Sequence, residues 1–322
     1  MRYRRISGKD VSVIALGSSD FGGKTSEAEA IELMDAYRSI GGSFIDTARI
    51  YGSFSPAGGG ESERVIGNWM ESRRCRNEIF LSTKGGHPPI GHMDVGRLSR
   101  DDILSDLSAS LEALKTDHVD FYWLHRDDIT RPVGEIMETL ESLRETGLAS
   151  MVGVSNWRPN RINALNEYAR LHGFAPIDGN QLQFSLARQM VVEDPTLVMM
   201  DEESYRMHLK ENMLCACFSS IAKGFFAKLE TLGADGLTDK ARRRFYYPEN
   251  LIIFDELKRL KAETGMSIHA LSLAYLTCQP FPTFPLCGAS SISQVEALGE
   301  AGDAILTREQ CEALRSFTGC QN

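Results

Sequence analysis

Four short strand-like runs each deliver a polar side chain at or just beyond their C-terminal end. Residues 43–45 lead to Asp46, with Tyr51 five positions further on; 79–83 lead to Lys84; 119–124 lead to His125; 151–154 lead to Ser155 and Asn156. A carboxylate, a phenol, an ammonium and an imidazole form a set suited to moving a proton. Tyrosine is a weak acid near neutrality, its unperturbed pKa being about 10, and a neighbouring ammonium favours its phenolate. Lys84 can supply that charge to Tyr51, Asp46 can hold Lys84, and His125 can hydrogen-bond a substrate oxygen. Such a set can deliver a proton to a carbonyl oxygen; no side chain supplies hydride, so carbonyl reduction would also need a cofactor. Taken singly, each residue has a plainer reading: Asp46 as a helix cap, Tyr51 as a packed loop aromatic, Lys84 as a solvated strand end, His125 as a core histidine. The other six histidines lack metal-ligand spacing, so no metal is expected. His87 stands apart because its loop directly follows Lys84.

These residues need a scaffold that gathers strand ends. Helical periodicity is read over 26–39, 62–72, 101–115, 133–145, 159–171 and 251–263, with Ser62 expected as a cap. Glycines at 41, 147, 173 and 265 fall where helix C-caps belong. Further strands are expected at 181–185, 213–218 and 283–287, and 3–6 with 11–15 read as a hairpin. Regular alternation of strand and helix predicts an α/β fold with a parallel sheet. Chemistry at successive strand ends favours a closed (β/α)8 TIM barrel with an N-terminal β-hairpin, one domain over residues 1–322. An early strand followed by GxGxxG, the mark of an open dinucleotide-binding sheet, is absent. The connections 85–100 and 188–210 are long enough to wall a pocket.

The bulk numbers fit a soluble acidic enzyme: 322 residues, 42% hydrophobic, net charge −9. Charges are interspersed, so neither nucleic acid nor membrane is expected as a partner; the triplet Arg242, Arg243, Arg244 reads as a solvated helix end. Seven cysteines without CxxC spacing suggest reduced thiols in a cytoplasmic protein, with Cys215 and Cys217 expected on opposite faces of one strand. Apolar runs stay short of the roughly 18 residues of a membrane span, and the N-terminus lacks a signal-peptide core.

Five motifs in order, Asp46-Thr47-Ala48-x-x-Tyr51-Gly52, Ser82-Thr83-Lys84, Leu124-His125-Arg126-Asp127, Gly153-Val154-Ser155-Asn156 and Gln181-x-x-Phe184-Ser185, resemble the aldo-keto reductase superfamily across residues 1–298. The resemblance implies a barrel that binds a nicotinamide cofactor in extended form and reduces carbonyls, with Asp46, Tyr51, Lys84 and His125 as the catalytic set. It implies Ser155, Asn156 and Gln181 at the carboxamide and Phe218 stacked on the nicotinamide. Ser219, Ile221 and Lys223 would lie along the pyrophosphate, and Gly288, Ser290, Ser291 and Gln294 at the adenosine phosphate. Many NADPH-using relatives carry Arg or Lys near positions 290 and 291, where this chain has serines. NADP(H) is expected ahead of NAD(H), since serines and helix N–H groups also bind phosphate.

Phe21, Phe54, His87, Arg126 and Trp157 are expected around the substrate, and Tyr51 would face it. Aromatic faces with hydrogen-bonding groups suit a sugar-derived carbonyl, or a small aromatic aldehyde. A short tail after the last helix would leave the site open to such a hydrophilic substrate, placing the protein in carbohydrate metabolism as a sugar or alcohol dehydrogenase. Two other classes are compatible: a cofactor-binding regulatory subunit like the ion-channel β subunits of this fold, and a barrel lyase or isomerase without nicotinamide. Oligomeric state is not legible.

Overall fold

The computed structural model describes residues 1–52 and 59–318. Among these residues, ten strands and twelve α-helices follow in chain order. The hairpin β1 (Tyr3–Ile6) and β2 (Lys9–Ser12) precedes eight barrel strands: β3 (Ala15–Gly17), β4 (Phe44–Asp46), β5 (Phe80–Gly85), β6 (Val119–Leu124), β7 (Ala149–Ser155), β8 (Gly179–Gln183), β9 (Leu214–Phe218) and β10 (Thr283–Cys287). The helices are α1 (Glu27–Ser39), α2 (Glu61–Arg73), α3 (Arg100–Leu114), α4 (Val133–Glu145), α5 (Pro159–Leu171), α6 (Glu202–Glu211), α7 (Phe225–Leu232), α8 (Asp239–Phe245), α9 (Pro248–Thr264), α10 (Ile268–Thr277), α11 (Ile292–Asp303) and α12 (Arg308–Thr318).

The parallel strands close on themselves in the order β10-β3-β4-β5-β6-β7-β8-β9, the expected (β/α)8 barrel with its N-terminal hairpin. Strand β6, Val-Asp-Phe-Tyr-Trp-Leu, is buried along its whole length, as a parallel strand covered on both faces must be. Aromatic residues fill the barrel interior: Phe44 meets Phe80 and Phe284 edge-on, and Phe121 stacks on Trp123. Val11 of the hairpin joins this cluster, and Lys9 reaches Asp120 near the start of β6 at 2.5 Å. The hairpin thus plugs the N-terminal end and leaves the opposite end for the site.

Local signals set several helix ends. Ser26 accepts from the Glu29 N–H while the Glu29 carboxylate accepts from the Ser26 N–H, a reciprocal cap on α1. Ser62 does not cap α2, contrary to expectation: Gly60 precedes that helix, and the Ser62 hydroxyl lies buried against Ser18 and Thr47. The 188–210 connection is shorter than expected, because Asp201 caps α6 and the helix begins at Glu202. Cys215 and Cys217 share a face, with Sγ atoms 3.7 Å apart and both thiols free, since side chains two positions apart on a strand point the same way.

Candidate active site

Strand register brings the expected residues level with one another. Asp46 pairs with Ser82, Lys84 with Trp123, and Ser155 with Gln181. Lys84 is fully buried, and its ammonium has three acceptors: Asp46 Oδ2 at 2.6 Å, the Thr47 carbonyl at 2.7 Å and Tyr51 Oη at 3.1 Å. Burial alone would lower its pKa, but the charges of Asp46 and Tyr51 outweigh that, and the net shift is upward. Asp46 is held in turn by Ser82 Oγ at 2.6 Å and Gln181 Nε2 at 3.1 Å. A fixed, dry cation therefore stands behind the Tyr51 hydroxyl.

Tyr51 is anchored by the chain around it. Its N–H donates to Ala48 O, and its carbonyl accepts from Gly60 N. The Arg49 guanidinium packs on Gly60 so closely that a Cβ there would fall 1.7 Å from Nη1. Arg49 pairs with the buried Glu63 at 3.4 Å, and Glu63 also accepts from Thr83 Oγ1 at 2.5 Å. Burial raises the Glu63 pKa against these partners.

His125 follows β6, its ring 5.9 Å from the Tyr51 ring and 4.7 Å from the His87 ring, centroid to centroid. Burial, with Lys84, His87 and Arg126 nearby, pushes its pKa well down, so the imidazole is neutral near pH 7. Its Nδ1 is shut off from solvent and has no partner among the described residues. An unpaired buried N–H is costlier than an unpaired acceptor, which favours the tautomer with the proton on Nε2. Arg126 donates to the His125 carbonyl at 2.9 Å and to Thr196 Oγ1 at 3.2 Å, tying the end of β6 to the loop after β8.

These groups open into a cavity of about 1200 Å³, larger than the usual small-molecule pocket of roughly 300–1,000 Å³. Beyond Tyr51 and His125 it passes Ser155, Asn156 and Gln181, then Phe218, Ser219, Ile221 and Lys223, and it extends to Gly288, Ser290 and Gln294. Ser219, Ala222 and Lys223 all hold left-handed backbone, at φ 52°, 47° and 59°. Such conformations cost about 1–3 kcal/mol each and concentrate at ligand clamps. At the far end α11 begins, and the first N–H groups of a helix attract anions. An elongated groove with an aromatic at one end and phosphate-type donors at the other fits a nicotinamide dinucleotide.

Phe21, His87 and Arg126 also line the cavity, together with Ile90 and Met93 of the 86–99 loop and Asp194 and Leu197 of the loop before α6. Both long connections therefore wall it. Trp157 does not reach it: after left-handed Asn156 (φ 62°) the indole turns into the layer between barrel and helices, under the Arg161 guanidinium. Ser291 caps α11 by accepting from Gln294 N and is not part of the cavity wall. Phe54 lies outside the described residues. The Arg242–Arg244 triplet is spent within the protein: Arg243 and Arg244 both reach Glu193, and Arg242 reaches Asp235. Ser82 is quoted only within a motif, and no role is assigned to Ser82, Arg49 or Glu63 in the sequence reading. Ser82 was within reach of it, since residues 82 and 84 must share a strand face.

The described residues contain no group of acidic, histidine or cysteine side chains able to hold a metal, and no helix long and apolar enough to cross a membrane. Comparison with known proteins gives one answer. The family model described as Aldo/keto reductase family matches residues 13–318. Norsolorinic acid reductase of Aspergillus flavus is 28% identical, the match covering 96% of this chain and 79% of that protein. The oxidoreductase YqkF of Bacillus subtilis is also 28% identical, over 99% of this chain and 97% of its own. The aldo-keto reductase AKR11C1 from Bacillus halodurans, solved in its holo form, superposes with a TM-score of 0.74 at 26% identity, covering 100% of this chain and 97% of that one. With the barrel, the ordered motifs and a match over nearly its whole length, the chain belongs to the aldo/keto reductase family, oxidoreductases of small-molecule carbonyl compounds.

Proposed function

We propose that this protein interconverts a carbonyl compound and its alcohol using a nicotinamide dinucleotide, with Tyr51 giving the proton in reduction and taking it in oxidation. The observation that carries this reading is the Lys84 ammonium, fully buried and shared between Asp46 at 2.6 Å and the Tyr51 hydroxyl at 3.1 Å. A reduced nicotinamide, when bound, supplies the hydride that no side chain can. Tyr51 and the Nε2–H of His125 hold the carbonyl oxygen; Lys84 stabilises the phenolate as the proton leaves; Asp46 keeps Lys84 in place. Gln181, Ser155, Asn156 and Phe218 would hold the nicotinamide, and Ser219, Ile221 and Lys223 the pyrophosphate. Gly288, Ser290 and Gln294, with the start of α11 that Ser291 caps, would receive the adenosine end.

NADP(H) stands ahead of NAD(H) in this reading because Ser290 and the N–H groups at the α11 N-terminus offer the 2′-phosphate donors and a positive field without a guanidinium. The substrate is a sugar-derived or other hydrophilic carbonyl compound, supported by His87, Arg126 and Asp194 in the cavity wall. The chain works as one barrel unit in the cytoplasm, a location supported by its free cysteines. Fluorescence titration with NADPH and NADH, followed by turnover of an aldehyde, ketone and sugar panel, tests the proposal. Submillimolar binding of one dinucleotide together with cofactor-dependent turnover is expected. Failure to bind either would refute it, and a large preference for NADH would reverse the cofactor order alone.

A further inference from the structure

One imidazole in the cavity wall has no part in the proton-transfer set. His87 lies two residues beyond β5, with its ring edge-on to His125 at 4.7 Å between centroids. Its Nδ1 sits 2.6 Å from the Pro88 carbonyl oxygen. A carbonyl oxygen only accepts, so Nδ1 carries the proton. Burial lowers the His87 pKa against the Pro88 hydrogen bond, with Arg126 and Arg97 adding to the fall and Asp194 opposing it, so the ring is neutral near pH 7. Nε2 is then a bare lone pair, and no described residue donates to it. The ring borders both the main cavity and a smaller one of about 220 Å³.

The wall therefore offers two kinds of group side by side. Tyr51 and His125 present O–H and N–H, which suit an oxygen that only accepts. His87 presents an acceptor one ring away, which suits a group that donates. A simple aldehyde or ketone satisfies the first and leaves the second unpaired once water is excluded. A carbonyl compound with a hydroxyl on the adjacent carbon satisfies both, because its hydroxyl hydrogen can point at His87 while its carbonyl oxygen faces Tyr51 and His125. We infer that His87 is a specificity-determining residue that accepts a hydrogen bond from the α-hydroxyl of the substrate, and that the substrate class is α-hydroxy carbonyl compounds. This rests on the carbonyl–alcohol reading above.

The test compares 2-hydroxypropanal with 2-methylpropanal, which differ by a hydroxyl in place of a methyl. The wild-type protein, with whichever dinucleotide it binds, should favour the hydroxy aldehyde in kcat/KM on the order of tenfold, the effect of one hydrogen bond. His87→Leu should bring that ratio to about one, and His87→Gln, which keeps an acceptor, should restore part of it. His87→Phe, which fills the space without an acceptor, replaces the leucine variant if near-ultraviolet circular dichroism finds that one misfolded. A wild-type ratio near one, or an unchanged ratio in the acceptor-free variant, overturns the inference while carbonyl reduction stands. Cofactor binding without turnover of either aldehyde or of hydroxyacetone overturns both.

Discussion

Gln181 and Asp46 are joined across the mouth of the barrel. The Gln181 Nε2 donates to Asp46 Oδ1 at 3.1 Å, although their strands, β8 and β4, stand four places apart in the ring of eight. The carboxylate that holds Lys84 is thus braced from the far wall as well as by Ser82 beside it. Gln181 thus bears on the Asp46–Lys84–Tyr51 set through Asp46 and also lines the cavity.

Gln181→Met should therefore lower kcat with little change in fold. A hydrogen bond to a charged group is worth about 1.5–3 kcal/mol, and Asp46 keeps its other partners, so a loss on the order of tenfold is expected. Steady-state kinetics beside cofactor titration checks it: a purely cofactor-binding residue would raise the dinucleotide Kd and leave kcat at saturation untouched.

Lys84→Met should abolish turnover and also weaken the fold. Removing one partner of a buried ion pair typically costs about 3–5 kcal/mol, because the other charge is left uncompensated. The double variant Asp46→Asn, Lys84→Met should recover part of that stability and none of the activity. The pH dependence follows from the raised pKa of Lys84. The folded protein holds this proton more tightly than the unfolded chain. Its stabilisation is complete below the ordinary lysine value of 10.5 and is lost as pH rises through the higher folded value. Urea unfolding across the alkaline range measures it.

Two buried histidines act in the opposite sense on the acid side. Burial lowers His125 well below its ordinary 6.5 and His208 to about 4. Between those values and 6.5 the unfolded chain binds protons that the folded protein refuses, so stability rises with pH there. A tenfold difference in proton affinity between the two states corresponds to about 1.36 kcal/mol. Acidification from pH 7 to pH 4 should therefore cost about 3 kcal/mol through His208 alone. His208→Gln should flatten that slope in denaturant titrations, while leaving kcat near wild type because the ring lies outside the cavity wall.

Glu193 gathers Lys240, Arg243 and Arg244 onto the loop that carries Asp194 and Leu197 to the cavity. The Arg244 guanidinium leads in holding its carboxyl down at about 2. This tie is present above the ordinary glutamate value of 4.5 and is lost as pH falls through about 2. Glu193→Gln should speed proteolytic cleavage in residues 184–201 and raise KM for substrate several-fold, with kcat less affected. Equal cleavage rates in the two proteins would show that the ion pairs do not hold the loop.

What the sequence disclosed depended on whether a signal was local. Helices α4 and α5 were legible to the residue, Val133–Glu145 and Pro159–Leu171, because each has one apolar stripe. Helix α10 was not, since it is buried on every side and carries no stripe. Asp46, Lys84 and His125 could be found because each lies at the end of a β-prone run. The Gln181–Asp46 bond and the Arg49–Glu63 brace could not, because they join elements brought together only by barrel closure. Trp157 was misjudged because the left-handed turn at Asn156 sends the next side chain out of the mouth.

The proton role of Tyr51 is tested most directly by Tyr51→Phe, assayed for single-turnover oxidation of bound reduced cofactor with a saturating aldehyde. On the proposed mechanism the lost hydroxyl is the proton donor, so the rate should fall by on the order of 10²–10⁴, while the dinucleotide Kd stays within about twofold of wild type. A phenylalanine variant that keeps most of the single-turnover rate would contradict it.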